Sequence, residues 1–171
     1  MSKVLIVYDS ATGNTEKMAV AIGDGFKESG VSVELKKAKN TTTDDLVTAD
    51  AIVLGSPTYF GNVSGSMKTF IDKTEKLYPA GLKNKIGAAF VSAAAVSDGC
   101  ETALLSLIQT LLIHRMVIVG LQENAKVIGH TAGSMGAVSI GTPDEECLVT
   151  CRDFGKRIAS FVNTAGKVRP T

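Results

Sequence analysis

The residues of this chain best equipped for chemistry fall in two short polar runs. The first, residues 10–15, reads Ser-Ala-Thr-Gly-Asn-Thr, with three hydroxyls, one amide, one glycine and no lysine or arginine. It follows the apolar run Val4 to Tyr8 and precedes a helical periodicity, so it lies where a strand turns into a helix. Backbone N–H groups at a helix N-terminus lack intrahelical partners and sit at the positive end of the helix dipole. Together with Ser10, Thr12, Asn14 and Thr15 around Gly13, they suit a phosphate held by neutral donors. The same residue types also cap ordinary strand-to-helix turns. The run contains neither Gly-x4-Gly-Lys-Ser/Thr nor Gly-x-Gly-x-x-Gly, which counts against ATP, GTP and a conventional dinucleotide.

The second run, residues 55–62, reads Gly-Ser-Pro-Thr-Tyr-Phe-Gly-Asn. Two adjacent aromatics are out of place in a solvent-facing turn. A flat apolar ligand would account for them, with Tyr59 or Phe60 stacked on a ring and Thr58, Gly61 and Asn62 bonding its polar edge. The alternative is that one aromatic folds back into the core. Elsewhere, His114 closes a helical stretch, a place that suits a histidine for dipole reasons alone. His130 reads as a surface residue. Cys147 and Cys151 are four apart, the wrong spacing for common zinc knuckles and redox motifs, and read as buried thiols with no metal.

These runs need a scaffold to hold them. The chain has 171 residues, 44% apolar and 20% charged, enough for one domain with its own core at about 100 to 200 residues per domain. Lys3 to Asp9, Val31 to Lys36, Ala51 to Gly55, Ile86 to Ser92 and Met116 to Gly120 read as strands. Helices are expected over Asn14 to Ser29, Thr43 to Thr48, Ser66 to Leu77 and Asp98 to His114. A loop over 55–65 follows the third strand, and a long irregular stretch spans Gly120 to Thr142. Thr142-Pro143-Asp144-Glu145 reads as a capping box opening a last helix whose core face is Leu148, Cys151, Phe154, Ile158 and Phe161. Residues from about 163 to 171 read as a flexible tail.

Alternation of strands and helices implies an α/β fold, a doubly wound five-stranded parallel sheet with helices on both faces. Ligands of such sheets bind beyond the carboxyl ends of the strands, which selects the loops after strands one, three and four. Lys plus Arg number 18 against 17 Asp plus Glu, a net charge of +1, with no clustered basic run. That is no footprint for nucleic acid. No apolar stretch reaches the length of a membrane span, and Met1-Ser2-Lys3 leads straight into a strand, so a cytoplasmic protein with reduced thiols is expected.

Residues 3–8 followed by Ser10 to Thr15 resemble the first strand and phosphate loop of flavodoxins. Gly55 to Asn62, with Gly65-Ser-Met-Lys68 and Phe70-Ile-Asp72, is more similar to the flavodoxin-like NAD(P)H:quinone oxidoreductases of the tryptophan-repressor-binding-protein family, as is residues 110–119. The resemblance runs over most of residues 3 to 162. It implies a flavodoxin-like strand order of 2-1-3-4-5 and FMN as cofactor. Carried over by position, Ser10, Thr12, Gly13, Asn14 and Thr15 would hold the phosphate, while Pro57, Thr58, Tyr59, Phe60, Gly61 and Asn62 would border the ring. A third loop beginning at Ser92, Ala93 and Ala94 would close on the ring's edge, although it has neither the Asp and stacking Tyr of flavodoxins nor the glycine-rich run of the reductases. His114 matches a histidine at the reductases' substrate pocket.

The resemblance leaves two roles. One is a carrier that shuttles electrons between redox proteins such as a ferredoxin or an oxidoreductase. The other is a reductase that takes hydride from NAD(P)H and reduces a quinone, and a homo-oligomer is compatible with either. A shorter 120–142 segment and no insertion between strands two and three favour the carrier. The balanced charge is unlike the acidic surface of flavodoxins.

Overall fold

A computed structural model describes residues 2–121 and 132–168. In chain order the elements are β1 (Lys3–Tyr8), α1 (Asn14–Glu28), β2 (Ser32–Lys37), α2 (Thr43–Thr48), β3 (Ala51–Tyr59), β4 (Asn62–Val63), α3 (Gly65–Lys73), β5 (Ile86–Ala93), α4 (Cys100–Ile113), β6 (Val117–Ile118), β7 (Ala132–Gly133), β8 (Gly136–Ile140) and α5 (Glu145–Val168). The main sheet runs β2-β1-β3-β5-β8-β7. Its β2-β1-β3-β5-β8 portion is parallel throughout, and β7 turns back antiparallel on β8.

The period of two along each central strand divides the core. Val4 and Ile6 of β1, Val53 of β3 and Phe90 of β5 face α1 and α5, while Leu5, Val7, Leu54 and Val91 face α3 and α4. Because both faces are covered, these strands are apolar at consecutive positions. Helices α1 and α5 cross in close contact. A Cβ on Gly25 would strike the Arg152 carbonyl, and one on Gly155 would strike that of Ile22.

Five expectations need correction. The third strand does not stop at Gly55 but continues through Tyr59, with Pro57 in register against Ser92, and β4 folds back on its end. The fifth strand is split: β6 pairs with β5 at Ile86 and Gly87, and β8, inside the stretch read as irregular, takes the same edge at Phe90 to Ala93. The last helix is capped by Asp144, whose carboxylate accepts from the Cys147 amide at 2.8 Å, so Thr142 and Pro143 precede the cap. That helix reaches Val168, past the start of the expected tail, and its Phe161 is 41% exposed beneath the Arg157 guanidinium instead of lining the core. His130 and the tail's last three residues lie outside the described residues. Cys147 and Cys151 are both buried. Among the described residues no helix is long and apolar enough to cross a membrane.

Candidate functional site

Strands β1, β3, β5 and β8 all point their carboxyl ends to one rim of the sheet, and three loops meet there. The loop after β1 is anchored by the Asp9 amide donating to the Gly55 carbonyl at 3.0 Å. Gly13, at φ 92, makes the left-handed turn into α1. Its carbonyl accepts from the Lys17 amide at 2.9 Å, and the Ser10 hydroxyl accepts from the Glu16 amide at 3.3 Å. Ser10 is therefore partly occupied as a cap. The N–H groups of Asn14 and Thr15 open the helix and have no partner within it.

Thr15 is buried, and its hydroxyl lies 2.8 Å from that of Ser92 at the end of β5, which binds the first loop to the third. The second and third loops meet through glycine. Gly99, at φ 84, comes so close to Gly61 that a Cβ on it would stand 2.6 Å from the Gly61 Cα. The three runs selected from sequence thus converge. Ala93 is buried at the end of β5, and Ala94 is exposed where the third loop begins. That loop is shaped by the Asp98 carboxylate, which accepts from the Ala95 amide at 2.8 Å.

Phe60 and Gly61 form the two-residue turn between β3 and β4, at φ 51 and φ 73. Both central residues of such a turn take positive φ, which glycine and asparagine adopt readily and which strains a phenylalanine. Phe60 is also fully exposed, and its neighbour Tyr59 is 46% exposed. Neither aromatic folds back into the core. A bulky ring held in a strained conformation in open solvent has no structural return, and such outliers cluster at ligand sites. The turn is supported from below by Ser56, whose hydroxyl donates to the Pro57 carbonyl at 2.8 Å and accepts from the Ser64 amide at 2.9 Å. Asn62 donates its side-chain amide to the Phe60 carbonyl at 3.2 Å.

Thr58 supplies an unspent donor. Its hydroxyl is buried and has no hydrogen-bond partner among the described residues, a state that costs about 1–3 kcal/mol unless something else completes it. An orphaned hydroxyl, free helix-end amides, and a rim without lysine or arginine in residues 10–15 and 55–62 fit a ligand with both a phosphate and a flat ring. FMN is such a ligand.

One arrangement beside the first loop was invisible in the sequence. The Tyr8 hydroxyl donates to the Glu16 carboxylate at 2.6 Å, and the Lys37 ammonium stands 3.6 Å from its other oxygen. Burial, reinforced by the bond to Glu16, pushes the Tyr8 phenol up to about 12. Glu16 is held below the usual carboxylate range by the Tyr8 hydroxyl first and by Lys37 second. A tertiary pairing of strand-end tyrosine with helix-start glutamate leaves no local pattern. Ser56 and Gly99 were also missed as supports, since each reads as an ordinary turn residue.

His114 does not join the loops of its own chain. It caps the C-terminus of α4, whose N-terminus lies at the rim, and 14 residues at 1.5 Å each set it about 21 Å away. It is buried, and its Nε2 lies 2.8 Å from the Thr74 hydroxyl. That hydroxyl already donates to the Ile71 carbonyl at 2.7 Å, so Nε2 carries the proton and Nδ1 is a bare acceptor. Nδ1 is buried with no partner among the described residues, and burial holds the imidazole below its ordinary value. A neutral structural histidine results.

Residues 2–130 match the family described as NADPH-dependent FMN reductase. An NAD(P)H dehydrogenase (quinone) of Archaeoglobus fulgidus is 36% identical, over 93% of this chain and 96% of its own length. A flavodoxin of Aquifex aeolicus is also 36% identical, over 95% and 88%. Among solved structures, a flavodoxin from the domain Archaea superposes with a TM-score of 0.76 at 28% identity, covering 94% of this chain and 99% of the other. The strand order and these likenesses make the fold flavodoxin-like.

Proposed function

Since the chain belongs to the NADPH-dependent FMN reductase family, we propose that it is an FMN-binding electron-transfer protein whose cofactor sits in the three-loop rim. Ser10, Thr12, Gly13, Asn14 and Thr15 hold the phosphate with neutral donors and the helix dipole. Pro57 to Asn62 and the run Ser92 to Ala94 border the ring, and Thr58 gives it the hydroxyl that has no other partner. FMN supplies one- and two-electron chemistry, and the protein decides what approaches it. Phe60 and Tyr59 shield one side from water while remaining accessible from outside. The chain acts as one cytoplasmic domain.

The carrier reading rests on the exposed Phe60–Gly61 turn. An open edge suits exchange with a redox protein such as a ferredoxin or an oxidoreductase, and among the described residues no histidine stands over it. A second reading, an NAD(P)H:quinone oxidoreductase, is supported by the 36% identity to an NAD(P)H dehydrogenase (quinone) over nearly the full length of both chains. Anaerobic mixing separates them. If NADH or NADPH bleaches the yellow protein rapidly and an added quinone restores the colour through many turnovers, the carrier reading fails. If neither nicotinamide bleaches it while a reduced redox protein does, the reductase reading fails. A colourless protein that takes up no FMN on titration would overturn both.

A further inference from the structure

The net charge of +1 is not spread evenly over the molecule. Along much of the surface cations stand beside carboxylates, as Lys3 does with Glu34, Lys27 with Asp24 and Lys156 with Glu28. The end of the sheet opposite the rim, where α3 and α4 finish and β5 begins, is different. Residues 73–85 and 113–117 carry five cations and a single carboxylate, Glu75. Lys85 turns to the Val47 and Ala49 carbonyls. Lys73, Lys76, Lys83 and Arg115 are exposed, and none has a carboxylate within ion-pair reach among the described residues.

Hydrogen bonds gather these turns into one corner. The Thr74 hydroxyl meets His114 Nε2 at 2.8 Å, the Asn84 amide donates to the Arg115 carbonyl at 3.0 Å, and the Val117 amide donates to the Lys85 carbonyl at 2.9 Å. Two large apolar side chains stand out from the same stretches, Tyr78 at 56% and Ile113 at 62% exposed. We propose that this corner binds the surface of an anionic lipid bilayer, with its cations among the headgroups and Tyr78 and Ile113 at the boundary beneath them.

Charge and apolar exposure together select that partner. Each Lys or Arg close to an anionic membrane strengthens binding about fivefold. Long basic side chains reach the headgroups while their stems cover apolar surface, and a tyrosine suits the boundary between the two. A nucleic-acid duplex is read by a helix or ribbon that enters a groove, whereas these cations sit on turns and helix ends. The charge at the other end fixes the orientation. Asp9, Asp98, Glu101, Asp144 and Glu145 stand at the rim end, which a negative surface repels. The length of α4, about 21 Å, separates the two ends. Bound by the corner, the molecule turns its rim toward water and a soluble partner. The attachment does not depend on what the rim loops hold.

Co-sedimentation of the full chain with vesicles tests the proposal. At low salt it is expected to pellet with vesicles of phosphatidylserine and phosphatidylcholine in equal parts and to stay in solution with phosphatidylcholine alone, and added salt should release it. Lys76→Glu with Lys83→Glu is expected to weaken binding at least about 25-fold, with unchanged far-ultraviolet circular dichroism. Lys17→Glu with Lys39→Glu changes the net charge equally, at exposed cations of the rim end, and should leave binding as it was. Tyr78→Ser keeps every charge and should weaken binding severalfold. No binding to either vesicle, or equal binding to both, overturns the proposal. So does equal weakening by the two double variants, which would make the effect one of net charge and not of this corner. A DNA duplex that binds more tightly than the anionic vesicles would assign the corner to nucleic acid and overturn it as well.

Discussion

The hydroxyls of Thr15 and Ser92 lie 2.8 Å apart, both buried, and join two loops that are 77 residues apart in the chain. Ser92→Ala leaves the Thr15 hydroxyl buried without that partner. The expected loss is about 1–3 kcal/mol of stability in urea unfolding of the apoprotein. Adding Thr15→Val removes the stranded group as well, so the double variant should be less destabilised than the two singles summed. Strict additivity would show that the two hydroxyls do not act as a pair.

Phe60 trades stability for exposure. Phe60→Asn creates the Asn-Gly sequence that its turn favours, and relief of the left-handed strain should stabilise the apoprotein by about 1 kcal/mol. The same change should weaken FMN binding in a fluorescence titration, since it removes an aromatic from the proposed ring site. An apoprotein no more stable than wild type would show that the turn carries no strain. Unchanged FMN affinity would remove Phe60 from the site.

The two faces of α1 should respond oppositely to added bulk. Gly155→Ala, like Gly25→Ala, drives a methyl group into a backbone carbonyl of the facing helix, with no side chain to yield. Each should cost about 1–3 kcal/mol or more. Gly23→Ala meets side chains alone, Leu35 at 3.1 Å and Ile6 at 3.9 Å, which can move, and gains helix propensity of up to about 1 kcal/mol. Thermal melts of the three variants should therefore place Gly23→Ala well above the other two.

Tyr8 makes stability fall at alkaline pH. Its phenol titrates near 12 in the fold against an ordinary value of 10.0, so between those values the folded chain keeps a proton that the unfolded chain has released. Its contribution is complete below pH 10 and is lost as pH rises toward 12. Glu16 has the opposite sign: held low, it stabilises at neutral pH and loses that contribution as pH falls from 4.5 through its folded value. Tyr8→Phe should remove the late phase of tyrosinate absorbance and flatten the alkaline decline. A wild-type curve with no such late phase would contradict the bond to Glu16.

Local pattern was enough for the central scaffold and for two of the three loops. Val4 to Tyr8 could be nothing but a strand buried on both faces, and residues 10–15 read within six positions as the turn from a strand into a helix. What escaped was set by partners distant in the chain. Gly55-Ser56-Pro57 reads as a turn, yet Phe90 fills the space above Gly55 and Ser92 pairs with Pro57, so β3 continues through them. Gly136 to Ile140 hides in a glycine-rich run because its strand character comes from lying beside β5. His114 was read correctly as a helix end. Its distance from the loops follows from the direction and length of α4, and its bond to Thr74 spans 40 residues that no local pattern connects.

The divided edge of the sheet has a consequence for how this molecule can change. Val119 donates to the Gly87 carbonyl at 2.9 Å and Gly141 to the Ala93 carbonyl at 2.8 Å, so β5 keeps its outer neighbours on both sides of the break. Leu121 donates to the Ser134 carbonyl at 3.1 Å and Arg157 to that of Gly120 at 2.9 Å, which stitches the root of the intervening segment shut. The break is a graft point. A change of length between Leu121 and Ala132 is therefore expected to leave β5 and its neighbours in register.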